Sequence, residues 1–352
     1  MKAHERKHRG AAGSNAGGAA LFSGGPEWCW GEGALESSAE KLRGMPGPFL
    51  LMGEPHLLSP ARKRISGAWI EEGIEIQPLS FAEGAECSES LAKAMAAAAA
   101  SKKSGSLIAW GGGKCIDTVK WAGLLAGLPV VTVPTSAATC ACASSVVVAH
   151  SPAGEVLEII DLPAAPKLCI ADFELLRSAP LRLLKAGQAD TLAKWLEWQA
   201  VEEPEGPGAG EARAAYEASM DPSADEERLW DASLRLSAEA SRLGGAPAAA
   251  AHSFCAGMSL LEKSAAWLHG EWVGLGLLFQ CRLLGQDSGA LEAWLGSQGL
   301  MTCLPFGLDD GELARVAGKI LAPEESIWLL EGQMGLGPQA VRDALLSLRG
   351  RQ

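Results

Sequence analysis

Short apolar runs alternate with helical stretches along the first half of the chain. Helical segments at 88–101 and 115–126 separate some of these runs. Because the runs are nearly continuous in apolar residues, they are typical of strands in a parallel sheet that is covered on both faces. Five strands are predicted, at 49–52, 74–76, 106–110, 130–133 and 167–170.

The pattern changes near Pro180. Beyond it the chain is rich in Ala, Leu, Glu and Arg, and apolar residues such as Leu192, Trp195 and Leu196 recur at helical spacing. A segment at 202–210, rich in Pro, Gly and Glu, predicts a surface loop. We therefore expect a disordered tail at 1–20, an α/β domain with a parallel sheet at 21–178, and an all-helical domain at 179–352.

The charge balance narrows the range of partners. The chain carries 30 basic and 42 acidic side chains, for a net charge of −12. We expect no nucleic-acid or membrane partner, because phosphate surfaces bind clustered Lys and Arg and no apolar run reaches the roughly 18 residues of a spanning helix. The start lacks the apolar stretch of a signal peptide, and no two of the nine Cys have CxxC spacing. A cytoplasmic protein with free thiols is expected.

Three glycines and a lysine, Gly111 to Lys114, stand between a predicted strand and a predicted helix. Glycines let the backbone approach a ligand closely, and the start of a helix presents free N–H groups to an anion. Asp117 and Lys120 are three positions apart on that helix and share a face. A phosphate cradle and a plain strand–helix turn both fit, since the run matches neither GxGxxG nor the P-loop pattern.

Two other predicted strands end in polar residues. One runs into PTSAATC at 134–140, and small hydroxylated residues suit the carboxyl end of a strand, where open α/β sheets bind ligands. Glu54 follows the first strand and could accept hydrogen bonds from a ribose, which favours the cofactor without a 2′-phosphate. A short polar connection and a solvated loop glutamate are the alternatives.

One carboxylate and two imidazoles form a candidate metal set: Asp190, His252 and His269. Such a set leaves positions open for substrate, suits zinc or ferrous iron, and lets the ion polarise an alcohol or carbonyl oxygen. Asp190 follows Gly187 and is predicted to open a helix. By itself it is better explained as an N-cap, and a lone histidine is usually a core or surface residue.

Five stretches taken together resemble the glycerol dehydrogenase branch of the iron-containing (group III) alcohol dehydrogenase superfamily. They are GGGKCIDTVK at 111–120, PTSAATCA at 134–141, AGQADTLAKWLE at 186–197, AAAHSF at 249–254 and HGEWVGLG at 269–276. The resemblance implies a dehydroquinate synthase-like fold, with a nucleotide-binding N-terminal domain, a helical metal-binding C-terminal domain and the metal between them. It also implies NAD or NADP as cofactor and one divalent metal, zinc or iron.

The resemblance assigns roles to individual residues. Asp190, His252 and His269 fall on the catalytic metal positions. Nicotinamide-cofactor positions fall on Gly113, Lys114, Asp117, Thr135, Ala138 and Ser144, and less securely on Val146 and His150. Gly112 of the cradle and Glu54 complete the set of candidate cofactor residues.

Two departures from the family pattern bear on the substrate. Cys140 stands where glycerol dehydrogenases carry an Asp that touches the polyol, and Cys255 stands where relatives have a second His near the substrate. A thiol relays protons less well than an imidazole at neutral pH. The AATCA form, ADTLAKW and PEESI at 323–327 are more similar to the hydroxycarboxylate dehydrogenase subgroup, which reduces small 2-oxo acids. The preference of that subgroup for the phosphorylated cofactor conflicts with Glu54.

We therefore expect a metal-dependent oxidoreductase that transfers a hydride between NAD(P) and a small 2-hydroxy acid, its 2-oxo acid or a related secondary alcohol. Its partners are expected to be the small-molecule substrate and further copies of the chain. A glycerol or polyol dehydrogenase is one alternative, and a non-catalytic metal- and nucleotide-binding homologue is another. The GGGKxxDxxK form and the Asp ligand disfavour a dehydroquinate synthase-like lyase.

Overall fold

The computed structural model describes residues 25–201, 206–243, 248–333 and 336–350, so the tail predicted at 1–20 lies outside it. The strands are β1 (Glu27–Gly31), β2 (Phe49–Gly53), β3 (Ile76–Ser80), β4 (Ser106–Gly111), β5 (Val130–Pro134), β6 (Val146–His150), β7 (Val156–Asp161) and β8 (Leu168–Asp172). Six of them are parallel and form one sheet in the order β1-β8-β5-β4-β2-β3, and β6 and β7 form a separate antiparallel hairpin.

Helices cover the sheet and, beyond β8, make up the described remainder together with connecting loops. The α-helices are α1 (Ala34–Ser37), α2 (Ala39–Arg43), α3 (Pro55–Ile65), α4 (Glu89–Ser101), α5 (Gly113–Ala126), α6 (Phe173–Ser178), α7 (Leu181–Val201), α8 (Ala209–Met220), α9 (Glu226–Asp231), α10 (Ser237–Arg242), α11 (Ala250–Met258), α12 (His269–Leu284), α13 (Gly289–Ser297), α14 (Asp310–Ile320) and α15 (Pro338–Ser347). Ser66–Ile70 and Ala232–Leu236 are π-helical turns, and Cys140–Cys142, Glu262–Ala266 and Ser326–Gln333 are 3₁₀ turns.

The predicted fold class is confirmed, and the two faces of the sheet explain why the strands are nearly all apolar. Successive side chains of a strand point to opposite faces. Leu50 of β2 packs on the face covered by α4 and α5, with Met95 and Val119. Leu51 packs on the other face with Trp69. A strand buried on both sides has no polar alternation, as the sequence indicated.

Four of the five predicted strands are present, but the prediction at 74–76 is wrong because the strand begins only at Ile76. The buried Ile74 belongs to the preceding turn, where its N–H donates to the carbonyl of Trp69 at 2.9 Å. The edge strand β1 and the hairpin of β6 and β7 were not predicted. The loop predicted at 202–210 ends earlier, since α8 already begins at Ala209; 202–205 lie outside the described residues.

The strand order places a topological switch point between β2 and β4. From β2 the chain moves outward to β3, then crosses to the other side of β2 for β4 and β5. The carboxyl ends of the parallel strands lie at one edge of the sheet, and open α/β sheets bind ligands at this edge where the order reverses. Glu54 follows β2 and Gly112 follows β4, so both predicted cofactor residues flank this point.

Two glycines bring the site elements close together. A Cβ on Gly187 of α7 would lie 1.9 Å from the carbonyl oxygen of Ala137, in the loop after β5. A Cβ on Gly270 of α12 would lie 1.9 Å from the carbonyl oxygen of Ala186. Only residues without a side chain permit such approaches, so the loop after β5 and the start of α12 both rest directly on α7.

Among the described residues, no helix is long and apolar enough to cross a membrane.

Candidate metal and cofactor site

Three helices each contribute one side chain to a cluster of possible metal ligands. Asp190 lies in the middle of α7, His252 in the first turn of α11, and His269 is the first residue of α12. Oδ1 of Asp190 lies 3.4 Å from Nε2 of His252 and 3.6 Å from Nε2 of His269. One ligand atom from each residue lies within 4.8 Å of the other two. The sequence prediction that Asp190 opens a helix is wrong, because Gly187 is itself helical and allows close packing of the loop.

The donor set fits a divalent cation. Oδ1 of Asp190 is buried and has no hydrogen-bond partner within the described chain, a costly state for a carboxylate oxygen unless a cation compensates it. Burial alone raises the pKa of Asp190, but the two imidazoles and Lys194 hold that pKa well below its usual value. The side chain of His269 is 47% exposed, which keeps one side of the cluster open. One carboxylate and two imidazoles with an open side suit zinc or ferrous iron.

Glu197 is hydrogen-bonded to one of these candidate ligands, His252, and the sequence analysis did not identify it. The side chain is buried, and its Oε1 accepts the backbone N–H groups of Ala249 at 2.7 Å and His252 at 3.1 Å. Its Oε2 is hydrogen-bonded to Nδ1 of His252. Because a carboxylate only accepts, Nδ1 carries a proton, and Nε2, which faces Asp190, is the nitrogen that can bind a metal once it is deprotonated. Seven positions, about two helical turns, separate Asp190 and Glu197, a spacing that could have identified it.

Cys255 contacts the second imidazole. Its buried Sγ lies 3.4 Å from Nδ1 of His269, on the far side of the ring from Nε2. Cys255, which was predicted to lie near the substrate, therefore contacts one of the three candidate metal ligands. Burial alone lowers the pKa of His269, but Cys255 and Asp190 raise it well above its usual value.

Helix α5 begins within the glycine run, two residues earlier than the helix predicted at 115–126. Gly112 is the N-cap and Gly113 the first helical residue, and no side chain caps the helix. No described atom lies within 4 Å of a Cβ built on Gly112, so there is open space at the helix start. A Cβ on Gly113 would lie 3.1 Å from Oγ1 of Thr139, which brings the loop after β5 against the cradle. Lys114 is exposed and forms an ion pair with Glu86.

Asp117 and Lys120 fasten the hairpin of β6 and β7 to the cradle helix. Oδ1 of Asp117 lies 2.8 Å from Nζ of Lys120, and its Oδ2 accepts the N–H of Val148 at 3.0 Å. Nζ of Lys120 also donates to Oγ of Ser144 at 3.2 Å and to the carbonyl of Val146. Both charges are buried and mutually compensated, so they fix the position of the Ser144 loop beside the cradle.

The remaining predicted cofactor residues lie around the same strand ends. Thr135 donates its N–H to the carbonyl of Gly111 at 3.1 Å, and Ala138 faces Gly187. Oε1 of Glu54 accepts the N–H of Gly84 at 3.3 Å, which holds this carboxylate at the end of β2.

The hairpin carries His150 at the end of β6. Its Nδ1 is buried without a hydrogen-bond partner among the described residues, and burial lowers its pKa. Cys140, the predicted substrate residue, begins the 3₁₀ turn after β5 and is buried, which raises the pKa of its thiol.

Comparison with known proteins agrees with this geometry. The family model for iron-containing alcohol dehydrogenases matches residues 26–173. A glycerol dehydrogenase of Thermotoga maritima is 32% identical over 247 residues, which cover 62% of this chain and 67% of that relative. Hydroxycarboxylate dehydrogenase A of Escherichia coli is 29% identical over 347 residues, which cover 90% of this chain and 87% of that protein. The crystal structure of a probable glycerol dehydrogenase from Sinorhizobium meliloti superposes with a TM-score of 0.82 at 26% identity, covering 93% of this chain and 97% of the other.

The chain is therefore an oxidoreductase that belongs to the iron-containing alcohol dehydrogenase family. Within that family it lies in the glycerol dehydrogenase branch, which confirms the resemblance drawn from the motifs.

Proposed function

We propose that this protein is a metal-dependent dehydrogenase that interconverts a small 2-hydroxy acid and its 2-oxo acid, with a nicotinamide cofactor as hydride carrier. The observation that carries the proposal is the cluster of Asp190, His252 and His269, whose open side leaves room for a substrate. The empty space at Gly112, at the switch point of the sheet, supports a cofactor phosphate. The division into a nucleotide-binding part at 21–178 and a metal-binding part at 179–352 belongs to the same proposal.

Different residues of the chain have different roles in the proposed reaction. Asp190, His252 and His269 hold the ion, and Glu197 fixes the tautomer and orientation of His252. A bound divalent ion acts there as a Lewis acid on the substrate oxygen. The cradle and the loop after β5 would hold the nicotinamide cofactor, which would supply or accept the hydride.

The position of Glu54 favours NADH over NADPH. Its carboxylate is held at the carboxyl end of β2, and a negative charge there repels a 2′-phosphate while accepting from a ribose hydroxyl. We expect a higher kcat/KM with NADH than with NADPH for one and the same substrate. Because the hydroxycarboxylate subgroup prefers the phosphorylated cofactor, a higher kcat/KM with NADH would distinguish this chain from that subgroup.

The choice of a hydroxy acid over a polyol depends on Cys140. A thiol is a weak hydrogen-bond partner, so it does not replace the carboxylate that holds a polyol hydroxyl in the family pattern. The similarity to hydroxycarboxylate dehydrogenase A, which spans 87% of that protein, supports the same choice.

A polyol dehydrogenase is the second candidate, since relatives named glycerol dehydrogenase also match. The variant Cys140→Asp separates the two candidates. If Cys140 excludes polyols, kcat/KM for glycerol rises in the variant; if glycerol turnover stays unchanged, the loop does not determine the substrate.

The variant Asp190→Asn tests the proposed function itself. Asparagine keeps the shape of the side chain but removes the anionic ligand. We expect retention of the fold by circular dichroism, loss of bound Zn²⁺ by atomic absorption, and loss of NADH oxidation with 2-oxobutanoate. Asp287→Asn, outside the cluster, is the matched control. Full activity of Asp190→Asn would remove the metal from the mechanism.

A further inference from the structure

A lysine stands on the face of α7 that carries the candidate metal ligand Asp190. Lys194 lies four residues after Asp190 and three before Glu197, spacings that place all three on one face of the helix. Its side chain is only partly exposed, yet within the described chain it forms no hydrogen bond and no ion pair. An ammonium group that is partly removed from water normally has a counter-charge. Among the described residues, no carboxylate forms an ion pair with Lys194.

The two carboxylates on the same face of the helix are directed toward other groups. Asp190 faces the two imidazoles, and Glu197 is hydrogen-bonded to His252 and to the N–H of Ala249. A divalent cation at Asp190 would leave even less negative charge for Lys194. The ammonium therefore remains available to an anion that enters the open side of the cluster.

The charged and titratable groups that act on this ammonium belong to the ligand helix and to the loop after β5. Burial alone lowers the pKa of Lys194, but Cys140, Asp190 and Glu197 raise it above its usual value, so the group stays cationic. In return, Lys194 counteracts the rise in the pKa of the Cys140 thiol. The position where the family pattern has an anionic Asp is thus neutral in this chain, and a cation stands beside it.

We propose that Lys194 binds the carboxylate of the substrate and thereby selects 2-oxo and 2-hydroxy acids over neutral ketones and polyols. This inference rests on the proposed function, because it assigns a specificity-determining residue to the same site. An ammonium–carboxylate hydrogen bond requires an anionic substrate, whereas a polyol leaves the charge unpaired in a partly desolvated cleft.

A matched pair of substrates tests the assignment. 2-Oxobutanoate and 1-hydroxybutan-2-one share a carbon skeleton and a ketone, and differ in carrying a carboxylate or a neutral hydroxymethyl group. In the Zn²⁺-loaded Lys194→Met variant, we expect kcat/KM to fall by about 10- to 100-fold for 2-oxobutanoate and by less than about threefold for 1-hydroxybutan-2-one. Lys194→Arg, which keeps the charge, should recover part of the loss.

Lys185→Met is the matched control. Lys185 lies nine residues before Lys194 on α7, so it projects from the opposite face while carrying the same charge. The control should leave both substrates unaffected. An equal loss on both substrates in Lys194→Met, a rise in the KM for NADH alone, or reduced Zn²⁺ content would overturn the assignment.

A binding measurement separates failure of this inference from failure of the proposed function. Oxamate has the carboxylate of a 2-oxo acid but is not reduced, and calorimetry can measure its binding to the Zn²⁺- and NADH-loaded protein. We expect about 10-fold or greater weakening in Lys194→Met and no change in Lys185→Met. If the wild type reduces neither ketone, the proposed function fails. Oxamate binding to wild type and Lys194→Met would still show whether Lys194 binds a carboxylate. Equal binding to wild type and Lys194→Met, or none to wild type, refutes the role of Lys194.

Discussion

Replacing Glu197 by glutamine tests whether a carboxylate behind His252 prepares the metal site. The carbonyl oxygen of the new amide can still accept the N–H groups of Ala249 and His252, which Oε1 now accepts at 2.7 and 3.1 Å. Its NH₂ group then faces Nδ1 of His252. Because that group donates, it favours the imidazole tautomer that carries its proton on Nε2, and this tautomer cannot bind a metal through Nε2.

The expected cost follows from this change of tautomer. Loss of a partner that orients a ligand imidazole lowers metal affinity by about 10- to 100-fold, which corresponds to about 1.4–2.7 kcal/mol. Most of this loss should appear in metal binding rather than in stability, because the backbone hydrogen bonds are kept. Glu197→Ala would in addition leave two buried N–H groups unpaired, at about 1–3 kcal/mol each.

Competition with a chromogenic chelator for Zn²⁺ measures the affinity of wild type and Glu197→Gln. Thermal unfolding of the metal-free proteins shows whether the fold is kept, and Glu227→Gln, an exposed position, is the control. A Zn²⁺ affinity for Glu197→Gln within about threefold of wild type would refute the tautomer argument.

Two further predictions concern packing and pH. Gly187→Ala should lower the free energy of unfolding in urea by about 1–3 kcal/mol, because the new Cβ would meet the carbonyl oxygen of Ala137 at 1.9 Å. Gly210 is also helical but has open space around it, so Gly210→Ala should instead raise this free energy by about 0.5–1 kcal/mol. Equal changes in the two variants would contradict the close packing at Gly187. Burial alone lowers the pKa of His252, but Glu197 and Asp190 raise it to about 9 from 6.5, so the metal-free protein gains stability below pH 6.5 that is lost as the pH rises through 9. The Tm of metal-free protein should therefore fall across this window and that of the Zn²⁺ form should fall less; a steeper fall with Zn²⁺ would contradict the assignment of His252 as a neutral ligand.

Much of the sheet could be predicted because burial on both faces leaves a plain trace in the sequence. Strand β2 is an apolar run that ends in a glycine, and β4 differs only in beginning with Ser106. The start of β3 was misplaced because Ile74 is apolar for a different reason, namely that it anchors the turn after Trp69. The hairpin of β6 and β7 was missed because it lies outside the sheet: β6 alternates partly buried with buried residues, and β7 is partly buried or exposed throughout.

The candidate site, like the sheet, could be predicted only in part. Its three candidate ligands were identified as residue types in matching motifs, while their surroundings depend on tertiary packing. Asp190 was taken for a helix start because Gly187 precedes it, although that glycine serves the approach of another loop. Glu197 and Lys194 carry no motif of their own. Their significance depends on α11 and on the loop after β5, which the chain brings to one face of α7 only when folded.

The most direct test of the central claim is metal-dependent oxidation of NADH by the wild-type protein. The protein would be stripped with a chelator, reloaded stepwise with Zn²⁺ or Fe²⁺, and followed by nicotinamide absorbance in the presence of 2-oxobutanoate. We expect no oxidation without metal and a rate that rises until about one ion per chain is bound. A rate that does not depend on added metal, or silence with this 2-oxo acid while glycerol is oxidised, would contradict the proposed function.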